Sequence, residues 1–128
     1  DGTAHVYSIP DSIGTYTARK EFQFKTCEKR SRCSVTDAAL SPNGTRLVLL
    51  GYGTLWVFED FRERGFGKGP ARMIDLGGRS QLEAISFIDD QLLYLADERV
   101  FKSGGNLYRF PLPYPSPPAP EGKTSSTP

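Results

Sequence analysis

Histidine is nearly missing from this chain: His5 is the single one in 128 residues. A Ser-His-Asp relay would have only that residue as its base, and no G-x-S-x-G turn occurs, so nucleophilic catalysis of that kind has no footing. Met and Trp occur once each and Cys twice. Two thiols and one imidazole fall short of the about four ligands that a structural zinc takes. No run approaches the ~20 apolar residues of a membrane-crossing helix. Neither sign of charge dominates. The 16 basic and 15 acidic side chains leave a net +1, which gives no electrostatic case for nucleic acid or an anionic membrane. The chain opens on Asp1 without a signal-peptide pattern and reads as a processed or excised piece.

What the chain does have is turn residues, 13 Gly and 10 Pro, set between short apolar runs. Residues 34–61 hold three such runs: 35–40, closed by Ser41-Pro42-Asn43-Gly44; 46–50, followed by Gly51 and Gly53; and 55–58. Each is rich in Val, Leu, Thr or aromatics, a strand signature. Asn43-Gly44 is expected to supply the positive φ angles of a tight hairpin turn. A three-stranded antiparallel meander is predicted, with residues 71–76 as a fourth strand.

The same order returns over residues 82–110. Glu83-Ala84 fall against Asp37-Ala38, Phe87 against Leu40, residues 92–95 against 47–50, and Leu107-Tyr108-Arg109-Phe110 against Leu55-Trp56-Val57-Phe58. An earlier partial copy opens the chain: Val6-Tyr7-Ser8-Ile9-Pro10 matches residues 107–111, and residues 18–22 match 71–75. The offsets, roughly 45 to 53 residues, are those of propeller repeats. With the four strands of a copy labelled a to d, the chain reads c, d; a, b, c, d; a, b, c.

The expected fold is therefore all-β. It is part of a β-propeller of about two and a half blades, completed by further residues or by assembly. The divisions are a partial blade over 1–25, a blade over 34–76, a partial blade over 82–112, and a Pro/Ser/Thr-rich tail over 113–128. Residues 1–10 and 15–24 alternate as half-solvated strands do. Residues 47–50 and 92–95 do not alternate and are expected to be buried on both faces. Trp56 and Tyr108 are expected in like environments.

Cys27 and Cys33 bracket a short loop. They read either as a disulfide staple, which implies an oxidising compartment, or as two reduced thiols. Lys25, Lys29, Arg30 and Arg32 around that loop are an anion-binding patch or a solvated inter-blade loop, with Arg30 and Arg32 as the binding candidates. Residues 62–70, RERGFGKGP, carry Gly65, Gly67 and Gly69. They lack the Walker A spacing and open no helix, which leaves a mobile surface loop. Asp37 and Glu83 fall at matched places at the start of strand a. Acids so placed converge on a propeller's axis, where oxygen ligands hold a cation such as Ca²⁺, with Asp97-Glu98 adding to the set, Glu98 as a ligand, and Tyr52 at the corresponding turn. Their other reading is as turn caps and partners of Arg46, Arg79 or Arg99. The tail favours polyproline II and reads as a linker or extension, a PxxP ligand being the alternative.

The stretch Thr36-Asp37-Ala38-Ala39-Leu40-Ser41-Pro42-Asn43-Gly44-Thr45-Arg46-Leu47 resembles the strand–turn–strand signature of bacterial propellers of the broad YncE/TolB/WD40-like kind. Glu83-Ala84-Ile85-Ser86-Phe87, with Leu93-Tyr94-Leu95-Ala96-Asp97-Glu98 downstream, looks like an exported group within it, some of whose members are similar to esterase-like phytases. Asn43 stands where that pattern has Asp, and the second copy lacks the S-P-D-G turn. The resemblance implies an extracellular, periplasmic or cell-envelope domain. Two functions follow from it: a binding or scaffold propeller without a catalytic centre, for a protein or small-molecule ligand, or a Ca²⁺-dependent phytase-like or lactonase-like hydrolase using Asp37, Glu83 and Glu98.

Overall fold

In the computed structural model, residues 2–27, 33–64, 71–77, 80–117, 120 and 122 are described. They form three antiparallel sheets. β1 (Thr3–Ser8) pairs with β2 (Arg19–Lys25). β3 (Asp37–Leu40), β4 (Leu47–Leu50), β5 (Thr54–Phe58) and β6 (Arg72–Asp75) make a four-stranded meander. β7 (Leu82–Asp89), β8 (Leu92–Asp97) and β9 (Leu107–Pro111) make a three-stranded one. The strand order is the one expected from the sequence, while several bounds move. Residues 15–18 stay outside β2, and Ile9 lies beyond β1. A one-turn helix, α1 (Phe61–Arg64), opens where the sequence reading had only a loop.

The turn between β3 and β4 also differs from expectation. Only Gly44 has a positive φ, 74°, and the Gly44 N–H donates to the Ser41 carbonyl at 2.8 Å. The connection runs from Leu40 to Leu47, too long for a two-residue Asn-Gly hairpin. Asn43 works through its side chain instead: Oδ1 accepts from the Thr45 N–H at 3.1 Å and from the Ser41 hydroxyl at 2.7 Å, an Asx-type closure of the loop.

The four-stranded sheet is apolar on both faces because a sheet lies against each. One face sets Val48, Leu50, Leu55 and Val57 against Leu82, Ile85, Leu93, Leu95 and Leu112. Fully burying side chains of this size contributes about 1.5–3 kcal/mol each. The opposite face sets Leu49, Trp56 and Phe58 against Phe22 and Phe24 of the two-stranded sheet. The aromatic rings there meet edge to face, at 5.3 Å for Phe24–Phe58 and 6.0 Å for Phe24–Trp56, the arrangement their quadrupoles favour. β8 departs from the both-faces expectation. Leu93 and Leu95 are buried, but Tyr94 between them is exposed, because among the described residues no sheet covers that side.

Strand pairing keeps Phe87 against Leu40 and residues 107–110 against 55–58, and corrects the other two matches by one position. The rung Ala38–Leu49–Trp56–Met73 corresponds to Ile85–Leu95–Tyr108 once Trp56 is matched to Tyr108. Residues 93–96, rather than 92–95, then stand against Leu47–Leu50. Asp37 falls against Ala84, and Glu83 lies in the register break between Leu82 and Ala84. The irregularity that a β-bulge introduces is invisible to a residue count. Trp56 and Tyr108 share a rung and a face but not a degree of cover. Trp56 is 5% exposed beneath Phe24, whereas Tyr108 is 41% exposed beside an open strand edge.

Candidate functional site

Polar side chains join the four- and three-stranded sheets where their strands begin and turn. The Thr36 hydroxyl donates to the Leu82 carbonyl at 2.8 Å, and Asp37 Oδ2 accepts the Ile85 N–H at 2.9 Å. At the other end the Asn43 N–H donates to Asp90 Oδ1 at 2.9 Å. Arg46 is the hub. Its guanidinium is fully buried, forks onto both oxygens of Glu59 at 2.8 and 2.9 Å, and donates to the carbonyls of Asp90, Leu112 and Pro113. The Tyr114 ring lies over it, 4.8 Å from centroid to Cζ. A planar donor with five N–H groups can satisfy this many acceptors at once, and a lysine cannot.

These joints account for Asp37. Its second oxygen accepts the Ala38 N–H at 2.8 Å, so both carboxylate oxygens hold backbone N–H groups. Glu83 and Glu98 lie elsewhere, along one shallow cleft with Asp97. Among the described residues no three His, Cys, Asp or Glu side chains gather around one point. Tyr52 is half-buried on the β4–β5 turn and lines none of the clefts described here. Arg46 pairs with Glu59 rather than with Asp37 or Glu83. Arg30 and Arg32 lie outside the described residues, as do Arg79 and Gly65, Gly67 and Gly69. Cys27 and Cys33 are joined as a disulfide, their Cα atoms 5.8 Å apart, so neither is a thiolate ligand. His5 lies edge-on to Tyr7, with 6.3 Å between centroids. The start of the tail is held by the domain itself, Leu112 in the core and Tyr114 on Arg46.

Asp97 was read only as an addition to the acidic set. In the structure it organises the β8–β9 loop. Oδ1 accepts the Asn106 N–H at 2.6 Å and Oδ2 the Tyr108 hydroxyl at 2.8 Å. Gly104 closes this loop with φ 83°, and a Cβ there would meet the Glu98 carbonyl oxygen at 2.0 Å. The Asn106 N–H above all, with help from Tyr108 and Ser80, holds the Asp97 carboxyl below its ordinary value of 3.8, against the upward push of burial. A depressed folded-state pKa adds stability above the unfolded pKa and loses it as pH falls through the folded one. The acid limb of wild-type stability is therefore expected to steepen below about pH 4. In Asp97→Asn that limb flattens and stability at pH 7 is lower, which urea midpoints at pH 7 and pH 3 will measure.

Two larger clefts, each of about 570 Å³, flank unpaired strand edges. One runs beside β1 and is lined by Gly2, His5, Ser34, Ala38 and Leu49. The other runs between the end of β6 and β9, over Leu76, Leu82, Leu95, Tyr108 and Phe110. Neither was foreseen. The signal available in the sequence was the missing fourth strand after residues 107–110. The chain matches no protein-family model, no curated protein and no solved structure.

Proposed function

We propose that the three sheets are consecutive blades of a β-propeller-type stack, and that the chain is an exported binding or scaffold domain without a catalytic centre. The observation that carries this reading is the use of the polar residues. Thr36, Asp37, Asn43 and Arg46, all within the stretch that resembles the propeller signature, are spent on bonds from one sheet to the next. β3 packs on β7, first strand on first strand, as the inner strands of neighbouring blades do. The Cys27–Cys33 disulfide supports export, since such bonds persist in oxidising compartments. Binding surfaces then fall to loops and uncovered edges rather than to a buried acid–base pair. The intact gene product tests the ring, which requires further four-strand copies beyond these two and a half.

A calcium-dependent hydrolase is the second reading, favoured by the shared cleft of Glu83, Asp97 and Glu98. Calorimetric titration with Ca²⁺, run beside phosphoester and lactone turnover assays, separates the two. The scaffold reading expects no saturable heat and no turnover. Saturable Ca²⁺ binding that is lost together with turnover in Glu83→Gln and Glu98→Gln would transfer the assignment to the enzyme.

A further inference from the structure

The three-stranded sheet ends on β9, and among the described residues no strand pairs with its outer edge. An edge of this kind presents a row of backbone N–H and C=O groups to any extended chain. Soluble proteins blunt such edges with bulges, prolines or charges. β9 keeps a regular register with β8 from Leu107 to Pro111, and its proline comes only at the last position. Residues 112–114, directly after it, are held elsewhere. Leu112 enters the core, and the carbonyls of Leu112 and Pro113 are held by Arg46. The apolar cleft over Leu82, Leu95 and Phe110 runs beside this edge.

We infer that β9 is an acceptor for an added strand, and that the occupant is an extended segment of a partner protein carrying one acidic residue next to apolar ones. The four-stranded sheet shows what a strand in this position does. There β6 pairs antiparallel with β5, Val57 opposite Arg72, Trp56 opposite Met73 and Leu55 opposite Ile74. Transferred by rung to β9, the incoming residue opposite Tyr108 lies on the cleft side and is apolar. The residue opposite Arg109 lies on the other face. Arg109 is exposed and makes no ion pair among the described residues, so an acid there finds an unused cation across the strand pair. The residue opposite Leu107 shares that outer face with the one opposite Arg109 and is apolar, to cover a leucine that is 67% exposed. Backbone pairing supplies the affinity and these positions the selectivity, as in strand addition generally. The inference needs the edge, the cleft and the Arg109 guanidinium, and a fourth strand for this sheet within the intact gene product would overturn it.

The test uses the full chain and two end-blocked hexapeptides copying residues 71–76, one with the native sequence and one carrying Arg72→Glu. Amide chemical shifts of the isotope-labelled protein are followed during titration. The Arg72→Glu peptide is expected to shift the amides of β9 and to bind about three- to tenfold tighter than the native copy, the range that a cross-strand charge pair allows. In the protein variant Arg109→Glu the order reverses. A peptide N-methylated at alternate amides, which keeps the side chains but not the ladder, loses binding. The inference is overturned if β9 stays unshifted at millimolar peptide. It is equally overturned if the preference survives Arg109→Glu, or if sedimentation shows β9 already covered by a second copy of the chain. A failed Ca²⁺ or turnover assay would bear on the hydrolase reading and leave this outcome unchanged.

Discussion

Arg46→Ala is expected to destabilise the fold by about 3–5 kcal/mol, the range for breaking a buried ion pair by removing one partner. The cause is what the substitution leaves behind. Both oxygens of Glu59 lose their fork, and the carbonyls of Asp90, Leu112 and Pro113 lose their donor in the seam between the two larger sheets. A buried acceptor left without a donor costs about 1–3 kcal/mol, so the effect does not reduce to one salt bridge. Tyr114 also loses the cation it covers, which frees the start of the tail. For a chain of this size the fall in Tm is expected to be roughly 10–20 °C. Two controls give the interpretation its force. Arg46→Lys keeps the charge but not the fork and recovers only a minor part of the loss. Glu59→Gln leaves the three carbonyl bonds in place and costs clearly less than Arg46→Ala. If Glu59→Gln costs as much as Arg46→Ala, the ion pair rather than the carbonyl cluster carries the seam. Thermal unfolding followed by near-ultraviolet circular dichroism reads all three variants.

How much of this was legible beforehand depends on the range of the interaction concerned. Strand identity and order came through in the sequence because they rest on local composition: 47–50 and 55–58 are apolar runs between glycines, and β4 and β5 lie there. Sequence register was one position off for residues 83–84 and 92–95 in the second meander, though not for Phe87 or residues 107–110. β7 pairs regularly from Ala84 to Phe87, so the match of Phe87 with Leu40 puts Ala84, not Glu83, against Asp37. That slip is why Asp37 and Glu83 looked like a matched pair. The ladder sets Ala84 opposite the place of Asp37, and Asp37 spends its carboxylate on Ala38 and Ile85. Arg46 was named only as a partner for acids on strand a. Its true partners are Glu59, one hairpin away, and carbonyls more than forty residues further on. Such contacts follow from how sheets stack, which local pattern does not encode. Burial of β8 was overestimated for a related reason. An apolar run says that a face can be covered, but the cover must come from another sheet, and Tyr94 has none among the described residues.

Trp56→Ala is expected to separate the behaviour of the three sheets. The aromatic contacts of Phe22 and Phe24 with Trp56 and Phe58 hold the two-stranded sheet to the rest. By contrast, the larger sheets are joined by both a hydrophobic cluster and the polar seam. Removing the indole costs about 3–5 kcal/mol. Part of that loss falls on the four-stranded sheet, where Trp56 pairs with Leu49 and Met73. The rest falls on β1 and β2, because a two-stranded ribbon is marginal in water without a hydrophobic face to dock on. Hydrogen exchange should therefore show protection collapsing in Thr3–Ser8 and Arg19–Lys25 first, while Leu82–Asp89 and Leu92–Asp97 retain most of theirs. Phe24→Ala approaches the same contact from the other side, without touching the four-stranded sheet's own ladder. It is expected to produce the same selective loss at a smaller total cost. The disulfide shortens the tether between β2 and β3, so the loosened ribbon stays close to the sheet it leaves. Uniform loss of protection across the nine described strands in Phe24→Ala would show that the aromatic contact supports all three sheets, and that the two-stranded sheet is no separable unit.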